Sequence, residues 1–144
     1  MDRRGADIDG ALVLDAEGLV KLATGDPRAT FPFEAARRLK GHVVTAATTL
    51  TEVMRGGPKD APIYRILPHV TVIPIDADRA RAAGALLGRT GLDGHRCALD
   101  ALVATVALSQ PGRVVVLTSD ATDMARLTDD PARPRKERIR IVRV

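Results

Sequence analysis

Apolar positions along the chain alternate between two spacings, one typical of buried strands and one typical of helices. Short runs that are apolar almost throughout predict strands at residues 12–15, 42–46, 70–75, 113–117 and 139–144. Helical spacing occupies the stretches between them, at residues 19–22, 49–55, 78–87, 97–108 and 122–127. The clearest helix places Leu99, Leu102, Val103 and Val106 on one stripe. We therefore predict an α/β fold of three layers, with a central, mostly parallel sheet of about five strands and helices on both faces.

Length and composition are those of one ordinary globular domain. The chain has 144 residues, of which 45% are hydrophobic and 28% charged, and it shows no repeat or long linker, so we expect one domain over residues 1–144. Residues 1–10 carry charges of both signs and are expected to form a flexible lead without the apolar centre of a signal peptide. No apolar run approaches the roughly 18 residues of a membrane span, so we expect a soluble, cytoplasmic protein.

Cysteine and aromatic counts exclude several kinds of site. Cys97 is the only cysteine, so a disulfide framework and a CxxC zinc site are both excluded. Phe31, Phe33 and Tyr64 are the only aromatic residues, too few for the stacking platforms of nucleic-acid-binding folds. A protein of this composition would contact nucleic acid through phosphates and metal.

Positive charge is concentrated at the C-terminal end. Residues 131–144 hold six basic side chains and one glutamate, whereas the whole chain has a net charge of only +4. Such a segment either attracts a polyanion or consists of arginines that protect an edge strand from pairing with other chains.

Acidic residues fall where an open α/β sheet places its ligand site, beyond the carboxyl ends of the strands. Asp15 closes the first predicted strand, Asp120 follows the fourth, and Glu52 lies three residues into the helix after the second. Asp100 lies early in the most apolar helix, and Asp123 follows Asp120 by one helical turn.

Most of these acids also have a purely structural interpretation. Asp15 and Asp120 could cap the helices that follow them, Glu52 could complete a capping box with Thr49, and Asp123 could face a helix dipole. Asp100 has no such role, because aspartate is unfavourable inside a helix and a carboxylate beside a buried face requires a cationic partner.

Several carboxylates in one cleft repel one another, and a divalent cation is the usual remedy. Oxygen ligands favour Mg²⁺ or Mn²⁺ over zinc, and the natural chemistry of such a site is phosphoryl transfer or phosphodiester hydrolysis. The sequence lacks the glycine-rich phosphate loops of nucleotide-binding folds.

Four segments together resemble the PIN domain, and most closely the VapC ribonuclease toxins of VapBC toxin–antitoxin pairs. They are VLDAEGLVKL, TTLTEVMRG, ALDALVATVAL and VVVLTSDATDMARL, and the resemblance extends over about residues 11–144. It implies a PIN-like fold, a Mg²⁺- or Mn²⁺-dependent endoribonuclease that hydrolyses RNA, a small antitoxin partner that blocks the cleft, and a homodimer.

Carried over to this chain, the resemblance assigns the metal-binding and catalytic roles to Asp15, Glu52, Asp100 and Asp120. Accessory roles fall to Asp123, Thr118, Ser119 and Arg55. Arg55 is a candidate partner of phosphate or of Glu52, or else a cation at a helix C-terminus. Lys21 and Arg126 are further candidate phosphate contacts. The alternative function is a non-catalytic or housekeeping PIN-like domain that acts by binding a partner or RNA.

Overall fold

The computed structural model describes residues 10–144. Apart from Gly10, the expected flexible lead lies outside this range. The strands are β1 (Ala11–Leu14), β2 (His42–Ala46), β3 (Thr71–Ile73), β4 (Val114–Thr118) and β5 (Arg140–Arg143). The α-helices are α1 (Ala16–Ala23), α2 (Pro27–Arg38), α3 (Thr49–Val53), α4 (Ala61–Ile66), α5 (Ala77–Thr90), α6 (Gly94–Leu108) and α7 (Ala121–Leu127). Short 3₁₀ turns occupy Pro58–Asp60, Leu67–His69 and Arg135–Glu137.

All five strands form one parallel sheet in the order β3-β2-β1-β4-β5. From the central strand β1 the chain builds one half of the sheet through β2 and β3, then returns to build the other half through β4 and β5. The strand order therefore reverses between β1 and β4, where an open α/β sheet has its ligand crevice.

Helices cover both faces of the sheet, because alternate residues of each strand point to opposite sides. Ala11 and Val13 of β1 pack into one apolar cluster with α5, α6 and α7. Leu12 and Leu14 pack into the other cluster with α1, α2 and α4. The prediction of a three-layer α/β fold with about five strands is confirmed.

Two helices lie where no helix was predicted. Helix α2 begins after Asp26, whose carboxylate accepts a hydrogen bond from the Arg28 backbone N–H, and it contains Pro32. Only Ala29 and Phe33 of this helix are buried, too few to give a readable period. Helix α4 is one and a half turns long, shorter than the window in which periodicity can be recognised.

The predicted apolar stripe of α6 is partly wrong. Leu99 is exposed, while the small residues Ala101, Ala104 and Ala107 are fully buried. Helix α6 packs closely against both the sheet and α5, and close approach selects alanine rather than leucine at the contact.

The basic C-terminal segment ends in the edge strand β5, as one of its two interpretations predicted. Within it, Arg133 serves the fold: its guanidinium donates to the carbonyl oxygens of Leu108, Gln110, Gly112 and Glu137 at 2.6–3.3 Å. No helix within residues 10–144 is long and apolar enough to cross a membrane.

Candidate active site

A cavity of about 520 Å³ opens at the carboxyl end of the sheet, at the point where the strand order reverses. Its lining includes all four acids predicted to form the site: Asp15, Glu52, Asp100 and Asp120. They come from β1–α1, α3, α6 and β4–α7, so tertiary structure brings together residues that are far apart in the sequence.

Asp15 is both a helix cap and part of this cavity. One of its oxygens, Oδ1, accepts a hydrogen bond of 2.8 Å from the Gly18 backbone N–H, and the residue is only 6% exposed. Burial raises the pKa of the Asp15 carboxyl, and hydrogen bonds from Thr118, Gly18 and Ser119 offset part of that rise. The capping interpretation is therefore correct, but the other oxygen, Oδ2, has no role in the cap.

The geometry around Asp15 depends on a close contact between α1 and β4. A Cβ atom added at Gly18 would lie 2.7 Å from the Leu117 carbonyl oxygen and 3.1 Å from the Leu117 Cβ. Only glycine fits there without displacing backbone, and this contact holds the start of α1 against the end of β4. The Asp15 and Asp120 segments are thereby kept side by side.

Glu52 does not belong to a capping box. The N-cap of α3 is Thr48, which makes no side-chain capping bond, and Thr49 is the first residue of the helix. Within residues 10–144 the buried hydroxyl of Thr49 has no hydrogen-bond partner. Partial burial at the cavity wall, followed by repulsion from Asp15, raises the pKa of the Glu52 carboxyl. The capping alternative for Glu52 is wrong.

Asp100 shows the strongest electrostatic perturbation in the cavity. Its pKa rises from 3.8 to about 6, first because of burial and then because of repulsion from Asp120, Asp15, Glu52 and Asp123. All four other predicted acids therefore lie close enough to Asp100 for their negative charges to disfavour its ionisation.

Asp120 stands at the N-cap position of α7 without capping it, since its side chain makes no capping bond. Its backbone N–H instead donates to the Thr118 hydroxyl at 3.0 Å. Thr118 is fully buried, and Ser119 lies exposed on the cavity wall. The Thr118 hydroxyl therefore lies next to Asp120, its supporting role remains a prediction, and the capping alternative for Asp120 is wrong.

Asp123 lies outside the cavity lining. The Cys97 thiol is a weak donor to its Oδ2 at 3.8 Å. Burial and the neighbouring negative charges raise the pKa of that thiol, so Cys97 remains protonated. Asp123 therefore affects the site through its negative charge and does not form part of the cavity wall.

Arg55 lines the cavity, but its guanidinium is directed at the end of α3. It donates to the carbonyl oxygens of Thr51, Glu52 and Met54 at 2.7–3.1 Å. The following turn is held by buried Asp60, which accepts hydrogen bonds from the backbone N–H groups of Arg55 and Gly56. The interpretation of Arg55 as a C-terminal helix cation is borne out, and its guanidinium has no ion pair with Glu52.

Lys21 and Arg126 do not line the cavity. Lys21 lies 3.8 Å from an Asp26 carboxylate oxygen, and Arg126 donates to the Thr90 carbonyl oxygen at 2.6 Å. The prediction that these two side chains contact phosphate finds no support in their positions.

No basic side chain neutralises the cavity within the part of the chain that the structure describes. The ion pairs found there involve Asp26 and Asp78 rather than the four cavity acids. An unneutralised set of carboxylate oxygens fits a hard divalent cation. In residues 10–144 no three acidic, imidazole or thiol groups are already close enough together to bind an ion, so binding would require side chains to turn inward.

Four further residues line the cavity, although they were not predicted from the sequence. Ala16, Glu17, Val20 and Val53 contribute to its wall. Glu17 could have been anticipated, because it lies two residues after Asp15, in the first turn of the helix that begins at the carboxyl end of β1.

Fold and site together define an α/β protein with an acidic crevice at the reversal point of its sheet. No protein-family model matches the chain, and no curated protein matches it. It is similar to a chain in the crystal structure of VapBC2 from Rickettsia felis bound to a DNA fragment from their promoter. The TM-score is 0.64 at 14% sequence identity, over 93% of this chain and 98% of that chain. At this identity the likeness is one of fold, and it confirms the expected PIN-like fold of the VapC kind.

Proposed function

We propose that this protein is a metal-dependent endoribonuclease that hydrolyses RNA, and that it is the toxin of a toxin–antitoxin pair. The observation that carries the proposal is the convergence of four carboxylates on one cavity without a neutralising side chain. Structural capping accounts for one oxygen of Asp15 and for none of the other three acids.

Asp15, Glu52, Asp100 and Asp120 would hold Mg²⁺ or Mn²⁺ through oxygen atoms alone. When bound, the cation supplies a water of lowered pKa and neutralises charge on the phosphate that is attacked. Asp100 and Asp120 would orient that water, since both face the same cavity from α6 and from the end of β4. The Thr118 hydroxyl keeps the Asp120 backbone in place, and Asp123 adds negative charge that favours cation binding.

The partners we propose are RNA as substrate, a small antitoxin and a second copy of the chain. The similar structure is of a VapBC2 assembly on promoter DNA, which supports a partner of this kind. An acidic cavity is also a natural receptor for an arginine from an inhibitor, because a guanidinium binds two carboxylate oxygens at once. We also propose a cytoplasmic location, where RNA and a small antitoxin would both be available.

The test is cleavage of total RNA by the purified protein with Mg²⁺ or Mn²⁺ and with EDTA. We expect cleavage that requires the metal and that is lost in Asp15→Asn, Asp100→Asn and Asp120→Asn. Asp129→Asn is the matched control, since Asp129 is an exposed acid that does not line the cavity.

The alternative is a PIN-like domain that acts by binding alone. It would show RNA or partner binding without cleavage, and growth arrest on expression would not depend on the four acids. Metal-dependent cleavage that survives in all three cavity variants would contradict the proposed site, because it would place the chemistry elsewhere.

A further inference from the structure

The basic C-terminal segment does not present all its charges to the same part of the molecule. Arg133 is used to hold backbone carbonyl oxygens, and Arg135, Lys136 and Arg138 precede β5. Strand β5 runs parallel to β4, with Arg140 beside Val115 and Arg143 beside Thr118. Arg143 is therefore the basic residue of this segment that lies at the carboxyl end of the sheet, where the acidic cavity opens.

Arg143 is fixed to the wall of that cavity by a backbone contact. Its Nη1 donates to the Ser119 carbonyl oxygen at 3.1 Å, and Ser119 is a lining residue. The next residue is also held to the end of β4, since the Val144 backbone N–H donates to the Thr118 carbonyl oxygen at 3.0 Å. The guanidinium thus lies beside the cavity in a defined place.

Most of the donors of Arg143 are still available. A guanidinium has five N–H groups in a planar fork, and the contact with Ser119 engages one nitrogen. Arg143 is exposed and forms no ion pair among residues 10–144. An exposed, oriented guanidinium without a carboxylate partner is suited to a phosphate oxygen.

We infer that Arg143 binds a backbone phosphate of the RNA substrate next to the one that is cleaved, on the β5 side of the acidic cavity. This inference rests on the proposed function. A polyanion is repelled by four carboxylates, and a cation at the rim offsets part of that repulsion where the strand enters.

The experiment measures binding of a fluorescently labelled single-stranded RNA at several salt concentrations in Mg²⁺, in the Asp100→Asn background to prevent cleavage. We expect Arg143→Ala to weaken binding about fivefold and to reduce the slope of log affinity against log salt by about 0.7. Arg143→Lys should keep most of the slope, because it keeps the charge.

The matched control is Arg140→Ala, which removes the same charge from an exposed position at the other end of the same strand. We expect its affinity and salt slope to equal those of the parent. Equal values for Arg143→Ala and Arg140→Ala would overturn the inference.

Cleavage kinetics separate contact with the substrate from a purely structural role. With the four acids intact, Arg143→Ala should raise KM and leave kcat unchanged, whereas mere support of the Ser119 backbone would lower kcat and leave KM and RNA affinity as they were. That second pattern would also overturn the inference. If the wild-type protein neither binds nor cleaves RNA, the proposed function fails with it; if it cleaves normally and only the Arg143 effects are missing, the inference alone fails.

Discussion

Removing the negative charge of Asp100 should stabilise the metal-free protein near neutral pH. The pKa of this carboxyl is about 6 in the folded protein against 3.8 as its ordinary value. Each pKa unit corresponds to about 1.36 kcal/mol, so the ionised form costs at most about 3 kcal/mol. Because the group is partly exposed, solvent screening reduces this to about 1–2 kcal/mol.

The sign follows from proton binding. Between pH 3.8 and about 6 the folded protein binds more protons at Asp100 than the unfolded chain does. The free energy of unfolding therefore falls as the pH rises through this window, and the full penalty is present above it. Asp100→Asn cannot ionise and avoids the penalty.

The assay is thermal unfolding in EDTA for the wild type and Asp100→Asn. An unfolding entropy of about 2.1 cal/mol/K per residue makes 1 kcal/mol equal to about 3 °C in Tm for a chain of this length. Asp100→Asn should melt about 3–7 °C higher than the wild type at about pH 7.5, and the difference should shrink steadily as the pH falls from about 6 toward 3.8. Asp129→Asn should show neither effect. A lower Tm for Asp100→Asn at neutral pH would refute the electrostatic account of the cavity.

Three further outcomes test other parts of the structure. Glu52→Gln should leave the free energy of unfolding within about 0.5 kcal/mol of the wild type, because no cap is lost, and should abolish RNA cleavage. A large loss of stability with activity retained would restore the capping interpretation. Gly18→Ala should destabilise the protein by about 1–3 kcal/mol in denaturant titration, since its Cβ would meet the Leu117 carbonyl at 2.7 Å. Gly84 is a helical position with open space around an added Cβ, so Gly84→Ala should be neutral or stabilise the protein by up to about 1 kcal/mol. Equal effects at the two glycines would refute the close contact between Gly18 and Leu117.

The position of the four acids could be predicted from the sequence because the sheet is parallel. Strands that run in one direction place all their carboxyl ends at one edge, so Asp15 and Asp120 had to lie at the same edge once the strands were recognised. Asp100 could be singled out because an aspartate inside a helix beside small apolar residues has no structural use of its own. Its raised pKa has the cause that this reasoning anticipated.

Other features depend on packing that no periodicity reveals. Helix α2 was missed because Pro32 lies within it and only two of its residues are buried. The buried face of α6 was misassigned because alanines at a close helix contact are part of the core, while Leu99 is not. The direction of the Arg55 guanidinium, toward the carbonyls of α3 rather than toward Glu52, is decided by local hydrogen bonds that the spacing leaves open.

The placement of Arg143 shows the same limit. Arg143 belongs to a basic segment whose composition allows two interpretations. Only the register of β5 against β4 shows which arginines of this segment lie near the cavity and which do not. One arginine of the segment serves the fold, another lies at the far end of the edge strand, and Arg143 lies beside the cavity.

The proposed function requires that Asp15, Glu52, Asp100 and Asp120 form a site for a divalent cation. Its most direct test is a titration of the purified protein with Mn²⁺, in which the electron paramagnetic resonance signal of the free ion reports how much is bound. We predict saturable binding by the wild type and by Asp129→Asn, with severe loss in Asp100→Asn and Asp120→Asn. Equal Mn²⁺ binding by the wild type and the two cavity variants would contradict the claim.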